Sequence, residues 1–154
     1  MEISDLITPE RVMAKLRVAN KRQVLQEMAR RAAALLGEDE HMIFETLLER
    51  EQLGTTGIGG GTAVPHGRLP KLAQPVGIFA RLEKPVDFDA IDSQPVDLVF
   101  LLLTPSDAGA NHLKALARIS RLMRDRAMCA KLRGTEAADA IYALLTDRAA
   151  SHAA

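Results

Sequence analysis

The sequence predicts an α/β fold, a single layered domain in which a small mixed β-sheet is flanked by helices on both faces. Three observations carry that expectation. Apolar residues recur at helical spacing over residues 20–52 and again after residue 110, with strand-like pieces between. Residues 96–103, VDLVFLLL, are nearly continuous in large apolar side chains, as in a central strand covered by helices on both sides. The strands cluster in the middle of the chain, so the regular strand–helix alternation of a doubly wound sheet is missing.

In order, residues 1–19 read as a capping segment and an extended piece containing Val12, Leu16 and Val18. Thr8-Pro9-Glu10 is equally able to open a short helix, through an N-cap threonine and an N1 proline. Asn20 caps a helix carried by Val24, Leu25, Met28, Ala32, Leu35 and Leu36 and stopped by Gly37, with Lys21, Arg22, Arg30 and Arg31 on its wet side. Asp39 caps a second helix, buried through Ile43, Phe44, Leu47 and Leu48 and closed by Leu53-Gly54. The glycine-rich stretch that follows holds at most one short strand, near Ala63 and Val64.

Residues 76–82 form a strand, Val86 and Phe88 mark a weak second, and the central strand runs on until Pro105 ends it. A turn over residues 106–109 leads into a helix from about Asn111 to Arg124. Its spiral is Leu113, Leu116, Ala117, Ser120 and Met123, widened by Ile119 and Leu122. Cys129 and Leu132 belong to a short helical piece ended by Gly134. Thr135 and Glu136 open a last helix, buried through Ala140, Ile141, Leu144 and Leu145. The tail DRAASHAA reads as frayed. No repeat with a period of about 20–50 residues occurs, which argues against a solenoid.

At 154 residues the chain fits one domain over residues 1–154, with its core over about 5–147 and enough length for a continuous core without staples. Twenty basic residues offset twenty acidic ones, so no polyanion is expected as the main partner. Aromatic residues make up only 3% and tryptophan is absent, which leaves little for a nucleic-acid stacking platform. Cys129 is the only cysteine, so neither an intrachain disulfide nor a multi-thiolate zinc site can form. The opening residues lack a secretory pattern and no apolar run is long enough to cross a bilayer. The expectation is a cytoplasmic protein with no direct membrane insertion.

Residues 53–69, LGTTGIGGGTAVPHGRL, place six glycines and Pro65 around His66. The segment is not a Walker loop, because Gly61-Thr62-Ala63 stands where Gly-Lys-Ser/Thr is needed. Its glycine spacing also misses the dinucleotide fingerprint, and no strand precedes it. The chemical alternative is a phosphate carried by His66 itself. A neutral imidazole, with an ordinary pKa of about 6.5, is a nucleophile near neutral pH, and phosphoryl transfer asks the protein mainly for positioning and for donors. Glycine N–H groups, the Thr55 and Thr56 hydroxyls and the charge of Arg50 or Arg68 are available for that task. The plain alternative is a surface histidine beside a turn. His41, in a first helical turn, and His152, in the tail, are assigned to solvent. The four histidines show no H-E-x-x-H arrangement, so neither a metal nor a cofactor is expected.

Leu53-Gly54-Thr55-Thr56-Gly57-Ile58-Gly59 followed by Ala63-Val64-Pro65-His66-Gly67-Arg68 closely resembles the phosphorylation-site signature of the type-2 EIIA domains of the bacterial phosphoenolpyruvate-dependent phosphotransferase system. These include fructose- and mannitol-type domains and the nitrogen-related regulatory domain, and the resemblance covers nearly the whole chain. It implies the phosphotransferase/anion transport protein-like fold. It also implies that His66 accepts a phosphoryl group on Nε2 from a phosphohistidine carrier of the HPr or NPr type. Arg50-Glu51 stands where the family has an arginine and an acid, and implies charge compensation by Arg50. Asn111-His112-Leu113 matches the family's second active-site histidine, and implies that His112 steadies the phosphate and donates a proton. The resemblance further implies that Thr55, Thr56, Gly67 and Arg68 support the phosphate loop.

Two positions depart from the family pattern: Thr55 stands where serine is common, and Gly60 where asparagine is common. The opening segment and the loop look more like the regulatory branch, which implies protein targets such as transporters or sensor kinases. A sugar-specific subunit passing phosphate to a permease is the second reading, and an adaptor that is never phosphorylated is the third. For docking the carrier, Ile58, Val64 and Leu69 are the expected apolar rim around His66, with Arg68 adding steering charge.

Overall fold

A computed structural model of the protein describes residues 1–147. Two 3-10 turns, Ile3–Asp5 and Pro9–Arg11, precede strand β1, Val12–Leu16, so Thr8-Pro9-Glu10 does open a helical turn and the strand follows it. Helix α1 spans Lys21–Leu36. The Asn20 side chain accepts from the Gln23 N–H, and Gly37 ends the helix at φ 67°, a left-handed conformation that costs glycine nothing. Helix α2, Glu40–Gln52, starts on Asp39, which accepts from the His41 N–H.

The glycine-rich segment holds three short strands where one at most was expected: β2 Gly57–Gly59, β3 Thr62–Ala63 and β4 His66–Leu69. They are too short and too rich in glycine to show a period of two, so pattern reading has nothing to detect. Strand β5 runs over Val76–Val86 and absorbs Val86 through a register shift after Arg81, while Phe88 lies beyond it, fully buried. Strand β6, Val96–Pro105, is the central strand. Helices α3, Ala110–Met123, α4, Arg126–Arg133, and α5, Ala138–Thr146, complete the described chain.

The sheet order is β1-β5-β6-β3-β2, with β4 also paired to β6. β6 is antiparallel to β5 on one side; on the other it is parallel first to β3 and then, farther along, to β4. Alternate β6 side chains feed two separate cores. Val99, Leu101 and Leu103 pack with Val24, Leu25, Met28, Ile43 and Leu47 of α1 and α2. Leu98, Phe100 and Leu102 pack with Ala115, Ile119, Cys129, Leu132 and Ile141 of α3, α4 and α5. The fully apolar central strand therefore has helices on both faces, as its composition requires.

Three burial expectations are corrected. On α3 the buried face is His112, Ala115, Ile119, Leu122 and Met123, whereas Leu113 is 65% exposed: the helix is rotated so that the widening residues form the stripe. On α5 Ala140 is exposed and Ile141 and Leu145 carry the burial, with Ala137 rather than Thr135 at the N-cap. Lys21 is not on a wet face. Its ammonium lies 2.8 Å from Glu51 Oε1 and 5.1 Å from the centre of the Phe88 ring.

Candidate active site

The strand β4 that carries His66 pairs on one side with β6, His66 opposite Leu102 and Arg68 opposite Thr104. Gly67 is favoured there by close packing. A Cβ at this position would meet Thr46 Cγ2 of α2 at 2.7 Å, closer than side chains tolerate. The His66 ring is half-buried, and its Nδ1 lies 2.9 Å from the Val64 carbonyl oxygen. A carbonyl only accepts, so Nδ1 carries the ring proton and donates, which leaves Nε2 with a free lone pair. Arg50 Nε donates to that Nε2 at 3.2 Å, while Arg50 Nη1 donates to the Gly54 carbonyl at 2.9 Å and holds the guanidinium at the Nε2 edge of the ring.

His112 enters from the opposite helical layer, in the first turn of α3. Its ring centre is 5.7 Å from that of His66 and the two planes are tilted by 56°. Its Nδ1 lies 2.6 Å from Thr104 Oγ1, and both residues are buried. Both histidines are held below the ordinary imidazole pKa. For His66 the first cause is burial, with Arg50 adding to it and the Val64 carbonyl and Glu51 opposing it; for His112 it is burial, then the charge of Arg68 and that of His66. Both rings thus resist protonation, which keeps the His66 Nε2 lone pair available for attack, while the guanidinium groups supply the positive charge that attracts an anion. Arg68 is exposed at the rim, close enough to act on His112.

The remaining expected site residues do other work. Thr55 Oγ1 donates to the Phe88 carbonyl at 2.9 Å and accepts from the Gly57 N–H at 3.0 Å. Thr56 is buried, with its N–H 2.9 Å and its Oγ1 2.5 Å from the two Glu51 carboxylate oxygens. Both hydroxyls expected to face a phosphate are therefore engaged with protein atoms. Glu51, itself buried, binds Lys21 of α1 and Thr56 together, so the turn after Arg50 is pinned from below.

The glycine tip also lies elsewhere than expected. Thr62 pairs with Leu98 and His66 with Leu102, four residues apart on β6, or about 13 Å at the rise of a strand. Gly60 N–H is taken by Asp92 at 2.9 Å, and the Gly60 carbonyl by Arg133 at 2.7 Å. Gly60 has φ 66°, a region that asparagine tolerates best after glycine, so the departure at this position keeps the backbone shape.

The expected apolar rim is corrected as well, since Val64 and Leu69 are buried at 2% and 0% exposure. The exposed large apolar residues beside the site are Leu53, 85% exposed and just after α2, and Leu113, next to His112. Sequence reasoning missed Thr104 and the Val64 carbonyl. The signal for the first was a lone hydroxyl closing an apolar strand; a backbone group leaves none. His41 is exposed as expected, and the His152 assignment falls outside the described residues. Among the described residues no group of three or more His, Cys, Asp or Glu is placed to hold a metal ion, and no helix is long and apolar enough to cross a membrane.

The family described as phosphoenolpyruvate-dependent sugar phosphotransferase system, EIIA 2, matches residues 5–148. The chain belongs to this family. This EIIA domain is 57% identical over 145 residues to the nitrogen regulatory protein of Bradyrhizobium diazoefficiens, covering 94% of this chain and 95% of that protein. With the nitrogen regulatory protein of Escherichia coli K12 it shares 36% identity over 148 residues, 96% of this chain and 91% of that one. The crystal structure of nitrogen regulatory protein IIA-Ntr from Neisseria meningitidis matches the EIIA domain with a TM-score of 0.88 at 32% identity, over 94% and 99% of the two chains. Escherichia coli IIA mannitol, 18% identical, shares the fold at a TM-score of 0.77 over 90% and 98% of the chains.

Proposed function

We propose that this EIIA domain is a nitrogen-related phosphocarrier that accepts a phosphoryl group on His66 Nε2 and regulates partner proteins through its phosphorylation state. The observation that carries this is the orientation of the His66 ring. Nδ1–H is committed to the Val64 carbonyl, and the nucleophilic Nε2 points at Arg50 beside His112.

In the reaction, Nε2 attacks the phosphorus of a phosphohistidine on an HPr- or NPr-type carrier. A P–N bond forms at His66 as the P–N bond in the carrier breaks, and the carrier imidazole leaves with the electron pair. The Nδ1 proton stays on His66, so the phosphorylated ring carries positive charge, and the Val64 carbonyl accepting from Nδ1 stabilises it. Arg50 yields its contact with Nε2 and turns its donors to the phosphoryl oxygens, while His112 supplies a second donor from the other side. Leu53 and Leu113 flank the site as the apolar rim for the carrier, with Arg68 beside them for steering. Thr55, Thr56 and Gly67 shape the loop and strand and leave phosphate contact to Arg50 and His112.

The regulatory reading is favoured over sugar transport by the 57% identity to a protein named nitrogen regulatory, against 32% to the fructose-specific EIIABC component of Bacillus subtilis. Transporters and sensor kinases are the kinds of target that phosphorylation, adding about −1.5 to −2 charges beside Leu53 and Leu113, would repel or recruit. The test is incubation with phosphoenolpyruvate, the first enzyme of the system and either a nitrogen-branch or a sugar-branch carrier. Acid-labile phosphate should appear on the wild type, faster from the nitrogen-branch carrier, and not on His66→Ala. Labelling of His66→Ala would refute the acceptor assignment, and faster transfer from the sugar-branch carrier would favour the transport reading.

A further inference from the structure

We propose that Thr104 is a positioning residue that fixes His112 as the Nε2–H tautomer, so that its free ring nitrogen donates to a phosphoryl group on His66. This rests on the phosphocarrier reading for its purpose but on hydrogen-bond accounting for its geometry. Thr104 is fully buried, and its hydroxyl lies 2.6 Å from His112 Nδ1, its one hydrogen-bond partner among the described residues. The pair can be filled in two ways. If Nδ1–H donated to the hydroxyl oxygen, the threonine proton would be left in a dry interior with no acceptor, at a cost of about 1–3 kcal/mol. If the hydroxyl donates, its proton is satisfied, Nδ1 serves as acceptor, and the ring proton must sit on Nε2. The second filling leaves no buried atom of the pair without a partner and keeps the Nε2–H free for the site.

The placement is a product of the sheet. Thr104 has the same side-chain parity as Leu98, Phe100 and Leu102, the β6 residues that face the α3 layer. It pairs with Arg68 on the neighbouring strand β4, two residues beyond His66, and reaches His112 in the first turn of α3. A valine there would fill the same space and leave the tautomer unspecified. The wrong tautomer would present an acceptor lone pair to the phosphoryl oxygens, turning a stabilising contact into a repulsive one. Thr104 itself is two bonds removed from the chemistry and touches no reacting atom.

The experiment compares the wild type with Thr104→Val and Thr104→Ser. Long-range proton–nitrogen NMR correlations of the unphosphorylated protein read the tautomer of each histidine directly. The wild type and Thr104→Ser should show His112 with its proton on Nε2, and Thr104→Val a mixture of tautomers. In single-turnover transfer from phosphorylated carrier, Thr104→Val should be slower by about threefold to tenfold, the factor that one imperfectly satisfied hydrogen bond is worth. The carrier concentration at half-saturation should not change, and serine should restore the rate. An Nδ1–H signal for His112 in the wild type, or an unchanged Nε2–H signal in Thr104→Val, overturns the proposal whatever the transfer rates. Failure of the wild type to take up phosphate would instead sink the phosphocarrier reading, while the NMR result would still decide the tautomer.

Discussion

Replacing Lys21 by methionine tests the idea that the turn behind Arg50 is held by a buried charge pair. The ammonium is 2.8 Å from Glu51 Oε1, with side chains 21% and 4% exposed, so solvent screens the pair little. At an effective dielectric of about 20 the attraction is bounded by about 6 kcal/mol, and most of that offsets desolvation. The measurable cost of stripping the lysine is that of leaving a carboxylate buried without its counter-charge, about 3–5 kcal/mol. Thr56 keeps two hydrogen bonds on the carboxylate, which pulls the expectation to the low end. Loss of the ammonium over the Phe88 ring at 5.1 Å adds about 0.5 kcal/mol. For a domain of this size, about 3 kcal/mol lowers Tm by about 6–12 °C. The assay is thermal unfolding of Lys21→Met, Glu51→Gln and the double variant. Because the penalty comes from an unpaired charge, the double variant should be more stable than Lys21→Met alone. A Lys21→Met protein that melts within about 2 °C of wild type, or a double variant less stable than Lys21→Met, would refute the reasoning.

Burial holds the pKa of both site histidines below about 6.5, so these two rings bind fewer protons in the folded protein than in the unfolded chain as the pH falls through that value. Their contribution to stability is therefore complete above about pH 6.5 and is lost as pH falls below it. Urea midpoints between about pH 7.5 and 5.5 should decline less in His66→Gln/His112→Gln than in the wild type. Because neutral His66 is the nucleophile, the loss of phosphate acceptance on acidification should set in below the ordinary imidazole value and not at it, read from initial transfer rates across that range. Gly67→Ala should destabilise by about 1–3 kcal/mol through the clash with Thr46 Cγ2, and Thr46→Ala should recover part of the loss, both measured by urea unfolding. Gly60→Asn should stay within about 0.5 kcal/mol of wild type, while Gly60→Val should cost more, since φ 66° suits asparagine and not a β-branched residue.

The sequence made the layers legible because long periodic segments and one apolar strand report burial directly. α1 is the clearest case: Asn20, its buried stripe and Gly37 all stand where capping and periodicity placed them. His66, Arg50 and His112 were reached through the motif and lie together. What stayed hidden depends on contacts distant in sequence. Lys21 looks like a solvated residue until Glu51, thirty positions on, is seen beneath it. Leu113 fits a helical stripe as well as Ile119 does, and only the sheet beneath α3 decides between two faces barely one residue apart in phase. The Thr55 and Thr56 hydroxyls were available to a phosphate on paper, and their partners Phe88 and Glu51 claim them in the fold.

The two separate cores on either side of β6 give the site divided ownership. Arg50 is borne by the α1–α2 layer and His112 by the α3–α5 layer, and His66 stands on the sheet between them. A cavity cut beside Leu47 loosens the footing of one arm, and a cavity cut beside Ile119 that of the other. The arginine and histidine contributions can therefore be weakened independently from a distance, leaving every group that meets the phosphoryl moiety chemically intact.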